Sequence, residues 1–478
     1  MLSHILRKKQ WHTALSQAGT SSGLKKTLSA FDLTMLGIGA ILGTGIFVLP
    51  GIEAAVHAGP GVTLSFALAG VAAACAALTY AELASMVPVA GSSYTYSYLT
   101  LGELPAWLVG WNLILEYAVS LAAVATGWSA YVQGLIHNII GYRLPPYLAS
   151  CPEQFGGAPG GMIDLPAALI VLFISVLLIF GVKESARINN IMGLVKLAAV
   201  MLFLIIATPH VQLETWQPFM PMGFQGVLAA AAVVFFAYIG FDAVSTSSEE
   251  CKQPQRDLPI GIILSLVACT LLYMAVSAVL TGAVSYTELN TAEPVSYVLS
   301  ALGYRFGSAL VAVGALFGLT SVILSVLYGQ SRIFFAMSRD GLIPRQVCTI
   351  HPRYGTPYYV TIATGVLVAL IAALAPTDKI VEMTNIGTYF AFTCTALGVL
   401  ILRVTHPHLH RSFRCPWAWI VASSTVGLCC FFASQLSFET WLRFLIWSLA
   451  GLSIYWFYGK NNSIEGTATY KDTDGRCY

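Results

Sequence analysis

Apolar runs of roughly bilayer length recur along the whole chain, separated by short stretches of glycine, proline and charge. A helical crossing needs about 20 predominantly apolar residues. On that measure the sequence predicts twelve crossings, at roughly 31–55, 61–84, 105–137, 164–182, 190–208, 226–247, 258–282, 306–336, 358–375, 382–403, 417–436 and 440–458. Polar punctuation such as Lys183-Glu184-Ser185 and Lys252-Gln253-Pro254 marks the boundaries. The predicted fold class is therefore an all-α integral membrane protein with twelve transmembrane helices.

Two crossings carry an internal interruption. The first holds glycines at 37, 39, 43 and 45 where an apolar helix should be continuous, and the sixth holds Tyr238-Ile239-Gly240-Phe241-Asp242. Each interior glycine costs about 1 kcal/mol of helix stability relative to alanine. Broken crossings at corresponding positions of two halves point to a transporter's substrate site. This symmetry predicts a five-plus-five inverted repeat, crossings 1–5 over about 31–208 and crossings 6–10 over about 226–403. Crossings 11–12, about 417–458, are accessories, with an N-terminal segment 1–30 and a polar tail 459–478.

Charge fixes the expected orientation. Arg7, Lys8, Lys9, Lys25 and Lys26 precede crossing 1, and even-numbered crossings are followed by Lys183/Arg187, Lys252/Arg256, Arg339/Arg345/Arg353 and Arg411/Arg414. The other side holds Arg143, Arg305, Lys379 and Arg443. By the positive-inside rule both termini are expected in the cytoplasm. The first apolar run is of full crossing length and is read as uncleaved.

Composition agrees with this class. Hydrophobic residues make up 57% of the chain and charged residues 10%, with a mean hydropathy of +0.74. Soluble domains carry about a quarter charged residues. A net charge of +2 argues against nucleic acid as a partner. The ten cysteines show neither a disulfide framework nor zinc-ligand spacing.

The candidate chemistry lies at the interruptions and at charges inside the crossings. If the first crossing unwinds at its glycines, free N–H groups at the start of its second half can hold a carboxylate; close helix packing through small residues is the alternative. The first half of crossing 6, ending near Phe236-Ala237-Tyr238-Ile239, would offer unpaired carbonyls to an ammonium group. Asp242 is expected to cap the second half of that crossing, with direct contact to substrate as the alternative. Lys196 stands in an otherwise uncharged crossing, where burial disfavours an ammonium and equips the group to release and regain a proton. It could instead snorkel to the interface. Glu116 lies deeper still, facing a substrate side chain or packed between helices. Glu82 and Arg332 are expected as gate or packing partners.

Four features together are specific: Gly37–Phe47 (GIGAILGTGIF), Phe235–Glu250 (FFAYIGFDAVSTSSEE), Gly329–Pro344 (GQSRIFFAMSRDGLIP) and the lysine of crossing 5. Through them the chain resembles the amino acid–polyamine–organocation superfamily over about residues 25–460, and within it the cationic amino acid transporter family and its bacterial members. The resemblance implies the fold of the bacterial leucine transporter, proton coupling at Lys196 with no further cofactor, and residence in a bacterial cytoplasmic membrane. It implies that Gly43, Thr44 and Gly45 surround the substrate carboxylate, Thr44 and Gly45 through their N–H groups. Ile41, Phe236, Ala237 and Ile239 would accept from its ammonium through carbonyls, and Glu116 matches an acidic position in crossing 3.

Expected partners are an L-amino acid and membrane lipid, with room for a small membrane accessory subunit. The leading expectation is a proton-coupled amino acid symporter; an exchanger and a carrier of cationic amino acids share its fold and site. The chain lacks an HExxH metal motif and a nucleophile with a matching base, which argues against an enzyme. It also lacks a filter-like repeat, which argues against a channel.

Overall fold

The computed structural model describes residues 7–9 and 28–464, apart from 88, 90, 143, 152–160, 181–185, 247, 249–250, 345, 347–348 and 350–356. Lys25, Lys26, Arg143, Lys183, Arg345, Arg353, the end of the Phe235–Glu250 motif and the tail beyond 464 lie outside the described residues. Among those described there is no strand, only the isolated bridges Leu28 with Cys251 and Ala149 with Asp164.

Each predicted crossing coincides with helix. The first is α1 (Ala30–Ile41), α2 (Thr44–Phe47) and α3 (Leu49–Glu53). Then follow α4 (Val62–Met86), α5 (Ser92–Thr100), α6 (Glu103–Ile140), α7 (Leu165–Ile179) and α8 (Ala186–Ala207). The second half runs α9 (Gly223–Val234), α10 (Ala243–Thr246), α11 (Pro254–Ala283), α12 (Arg305–Arg339), α13 (Tyr358–Leu374), α14 (Thr377–Thr405), α15 (Ala418–Gln435) and α16 (Phe438–Ile454). Among the described residues, seven helices are long and apolar enough to cross a membrane by length and composition, and α1, α7, α9 and α13 are shorter apolar helices.

Local chemistry sets the helix ends. Ser29 and Asp32 form a capping box at α1, satisfying two N-terminal N–H groups reciprocally. Asp164 caps α7 by accepting the Ala167 N–H at 3.1 Å. Pro254 opens α11, where its missing N–H costs nothing.

Packing separates a centre from a lipid-facing rim. The most apolar stretch of α6 is 83% buried, against 33% for that of α8. Helix α6 is thus a central column, lying along α12 and α14, while α4 and α1 pack on α11. Small residues allow the close approaches: a Cβ at Gly314 would stand 2.3 Å from that of Ala199, joining α12 to α8.

The side bearing the termini is closed by buried polar contacts. Glu82, at the end of α4, receives Arg403 at 2.6 Å, Arg411 at 3.1 Å and the Cys415 N–H at 2.8 Å. Lys9 pairs with Asp340 at 2.7 Å, and Tyr94 donates to the same carboxylate at 2.9 Å. Glu103 accepts from Tyr98, Tyr455 and Ser463. Arg332, expected as a gate or packing partner, lies over the ring of Tyr328 at 4.2 Å.

Candidate functional site

Both predicted interruptions are present, and they touch. Helix α1 ends at Ile41, and after Leu42 and Gly43 the chain resumes helix at Thr44. The Ile46 and Phe47 N–H groups return to the Gly43 carbonyl, at 3.2 and 3.4 Å. Those of Thr44 and Gly45 have no described backbone partner, as expected for the first turn of a helix. In the sixth crossing α9 passes into a 3-10 turn over Phe235–Tyr238, extends at Ile239 and turns at Gly240 before α10. Gly240 has φ +121°, and a Cβ there would lie 2.9 Å from the Ala40 carbonyl carbon. Only glycine fits that crossing point. A Cβ at Gly45 would be 2.5 Å from that of Ala237, so the breaks also meet one turn farther on. Gly43 faces Val322 of α12.

Lys196 is fully buried, which rules out snorkelling. Its ammonium reaches the carbonyls of Gly39 (2.6 Å), Leu42 (3.2 Å) and Gly318 (3.4 Å). Two of these belong to the broken end of α1, where carbonyls lack helical partners, and the third is on α12. The lysine thus ties the first interruption to the central column. Gly318 makes room for it, since a Cβ there would stand 3.2 Å from that of Lys196.

The carbonyls expected to take an ammonium are mostly engaged. The Tyr273 hydroxyl on α11 reaches both Ile41 (2.9 Å) and Ala237 (2.6 Å) carbonyls. One hydroxyl has one proton, so the pair retains acceptor capacity. Phe236 accepts the Ile239 N–H at 3.1 Å, while the Ile239 carbonyl has no described partner. Tyr273 was not among the residues the sequence singled out. Its signal is a tyrosine deep in an apolar crossing, whose hydroxyl must find a polar partner.

The two buried acids have different settings. Asp242 immediately precedes α10, and its carboxylate accepts the Gly240 N–H (3.2 Å) and the Tyr117 hydroxyl (2.8 Å). It therefore braces the second break against α6. Glu116 is buried on α6 with Gly387 of α14 packed on its stem, and its Oε2 is unpartnered. Among the described residues no group of histidine, cysteine and carboxylate side chains could hold a metal ion.

Beside the first break lies a cavity on the side away from the termini. Thr44 and Thr126 line it with Val48, Ile52, Glu53, His57, Val381 and Glu382. The Thr44 hydroxyl is buried without a hydrogen-bond partner. The cavity adjoins the unpaired N–H groups and is walled largely by hydrocarbon, the usual make-up of a small-molecule site.

Comparison with known proteins decides the family, because the amino acid permease family matches residues 28–457 and so takes in both breaks, Lys196 and Tyr273. The chain belongs to the amino acid permease family. This permease is 47% identical to the branched-chain amino acid permease BcaP of Bacillus subtilis, over 97% of this chain and 99% of that protein. It is 46% identical to the methylthioribose transporter of Bacillus subtilis, again over 97% and 99%. With the vacuolar cationic amino acid transporter 4 of Arabidopsis thaliana it shares 39% identity over 85% of this chain and 68% of that protein. The family and these relatives are membrane transporters, not enzymes.

Proposed function

We propose that this permease imports neutral L-amino acids with apolar side chains by alternating access, with protons as the coupling ion. The reading includes a twelve-crossing fold with a five-plus-five inverted repeat and both termini in the cytoplasm of a bacterial cell. The substrate carboxylate would sit on the Thr44 and Gly45 N–H groups. Its ammonium would take the Ile239 carbonyl and share those of Ile41 and Ala237 with Tyr273. The carrying observation is Lys196, whose buried ammonium joins two carbonyls of the broken α1 to one of α12. Loss of its proton would weaken those three bonds and free α1 to move, which links proton release to the gate.

Apolar selectivity is supported by the cavity's valine and isoleucine walls and by the branched-chain permease at 47% identity. A second reading, transport of a methylthioribose-like sugar thioether, is supported by a relative at 46% identity. It also fits the acceptor capacity that Tyr273 leaves on the Ile41 and Ala237 carbonyls, which sugar hydroxyls would take. One experiment separates the two readings: uptake of labelled L-isoleucine, L-lysine and methylthioribose into proteoliposomes, with and without an imposed inward proton gradient. Isoleucine accumulation that needs the gradient supports the first. Accumulation of methylthioribose alone replaces it with the second.

A further inference from the structure

On the side bearing the termini, far from both breaks, the start of α11 and the segment leading into α15 enclose an open groove of about 520 Å³. Gln255, Arg256 and Ser412 give it polar groups, and Ile260, Ile263, Leu264 and Phe413 give it an apolar wall. On α11 the change from polar to apolar takes one turn, because residues four apart share a face. The same face continues as exposed hydrocarbon through Val267 and Leu271. Arg256 is exposed, and its guanidinium forms no hydrogen bond or ion pair among the described residues. The nearby acids are committed elsewhere: Asp257 is buried 4.0 Å from the Cys251 sulfur, and Glu82 is held by Arg403 and Arg411. Trp417 and Trp419, exposed at the start of α15, mark this level as that of the lipid headgroups.

We propose that the groove binds one anionic phospholipid, with its phosphodiester on Arg256 and an acyl chain along Ile260, Ile263 and Leu264. Charge complementarity selects the head. An unpaired guanidinium takes phosphate oxygens in charge-assisted bonds, Gln255 and Ser412 add neutral donors, and Arg414, next to Phe413 in the chain, adds a second exposed positive charge. The apolar track selects a lipid over free phosphate, which would leave that wall uncovered. A seated lipid ties α11 to the segment 411–415. That segment supplies Arg411 and the Cys415 N–H to Glu82, and the Phe413 N–H to the Ser85 hydroxyl at 3.3 Å. The lipid therefore braces the polar seal from the bilayer side.

The test is native mass spectrometry of the full chain in detergent, titrated with dioleoyl phosphatidylglycerol or dioleoyl phosphatidylcholine, with melting followed in nanodiscs of each lipid. One phosphatidylglycerol should bind ahead of any phosphatidylcholine and raise the Tm. Arg256→Gln should weaken that first lipid about fivefold, the worth of one basic residue at a lipid surface, and abolish the rise in Tm. Leu264→Asn, at the apolar end, should weaken it as well. Arg305→Gln removes an exposed charge at the end of α12 remote from Asp340 and should leave it unchanged. Equal affinity for the two lipids, unchanged binding in Arg256→Gln or Leu264→Asn, or an equal loss in Arg305→Gln overturns the site. Displacement by soluble glycerol phosphate at the lipid's own concentration overturns it too, because the apolar track would then be idle. A Tm that rises with phosphatidylglycerol as much in Arg256→Gln as in the wild type overturns the bracing role.

Discussion

Lys196 and Glu116 are both buried ionisable residues, yet their surroundings assign them different work. The lysine spends its donors on three backbone carbonyls from two helices. Glu116 has a buried oxygen with no partner. Replacing Lys196 by alanine should keep measurable isoleucine binding while abolishing accumulation driven by a proton gradient. Lys196→Arg should fail as well, because a guanidinium does not release its proton in the working range. Proteoliposome uptake with an imposed gradient checks both, and accumulation at the wild-type rate in either variant would remove Lys196 from the coupling mechanism. Glu116→Gln removes the ionisable group but keeps the shape. Under the neutral-substrate reading it should change isoleucine affinity by less than about threefold. A carboxylate that recognised a basic side chain would instead show a selective loss for lysine of several kcal/mol, the cost of removing one partner of a buried pair. Competition binding with the two amino acids distinguishes these outcomes.

At the scale of the element, the breaks are where helix propensity loses to function. Gly240 is the sharpest case, since its positive φ and its contact with the Ala40 backbone each exclude a side chain. Gly240→Ala should cost about 1–3 kcal/mol of backbone strain. It should also push α1 away from the second break, so the expected result is a lower Tm together with loss of isoleucine binding. A variant with unchanged melting and binding would show that the two breaks tolerate separation. The glycines, the isolated lysine and the length of each apolar run were legible in the sequence because each breaks or obeys a local rule. The partner of the exposed carbonyls was not. Tyr273 lies 36 residues beyond Ala237 and 232 beyond Ile41, and although its hydroxyl deep in an apolar crossing must find a polar partner, nothing in the local pattern says which. Glu53, His57 and Glu382 escaped for the same reason: only the fold brings the end of the first crossing to the start of the tenth.

The whole molecule is asymmetric: polar contacts seal the side bearing the termini, and the cavity lies beside the first break on the other. The seal draws on distant parts of the chain, with Lys9 from the N-terminal segment, Asp340 from the end of α12 and Tyr94 from α5 meeting at one carboxylate. The Ile464 N–H adds a bond to the Asp340 carbonyl at 3.2 Å. Under the proposed alternating-access reading this side has to open, so these contacts would break once per cycle. The Lys9–Asp340 side chains are only 3% and 9% exposed, which makes the pair a buried one. Breaking such a pair by removing one partner costs about 3–5 kcal/mol, because an uncompensated charge is left behind. In the open state the same groups reach water and that penalty is relieved. Asp340→Asn should therefore shift the population towards the state open on the terminal side. A ligand applied from the opposite side then binds only the reduced closed fraction, and its apparent affinity falls by that fraction. Right-side-out vesicles should show weaker apparent isoleucine binding for Asp340→Asn, and inside-out vesicles should not. Lys9→Ala should reproduce the effect, and the double variant should fall no further than either single change, the signature of a coupled pair. Additive losses would mean that Lys9 and Asp340 act separately and that the seal is held elsewhere, with the Glu82–Arg403–Arg411 cluster the next contact to break.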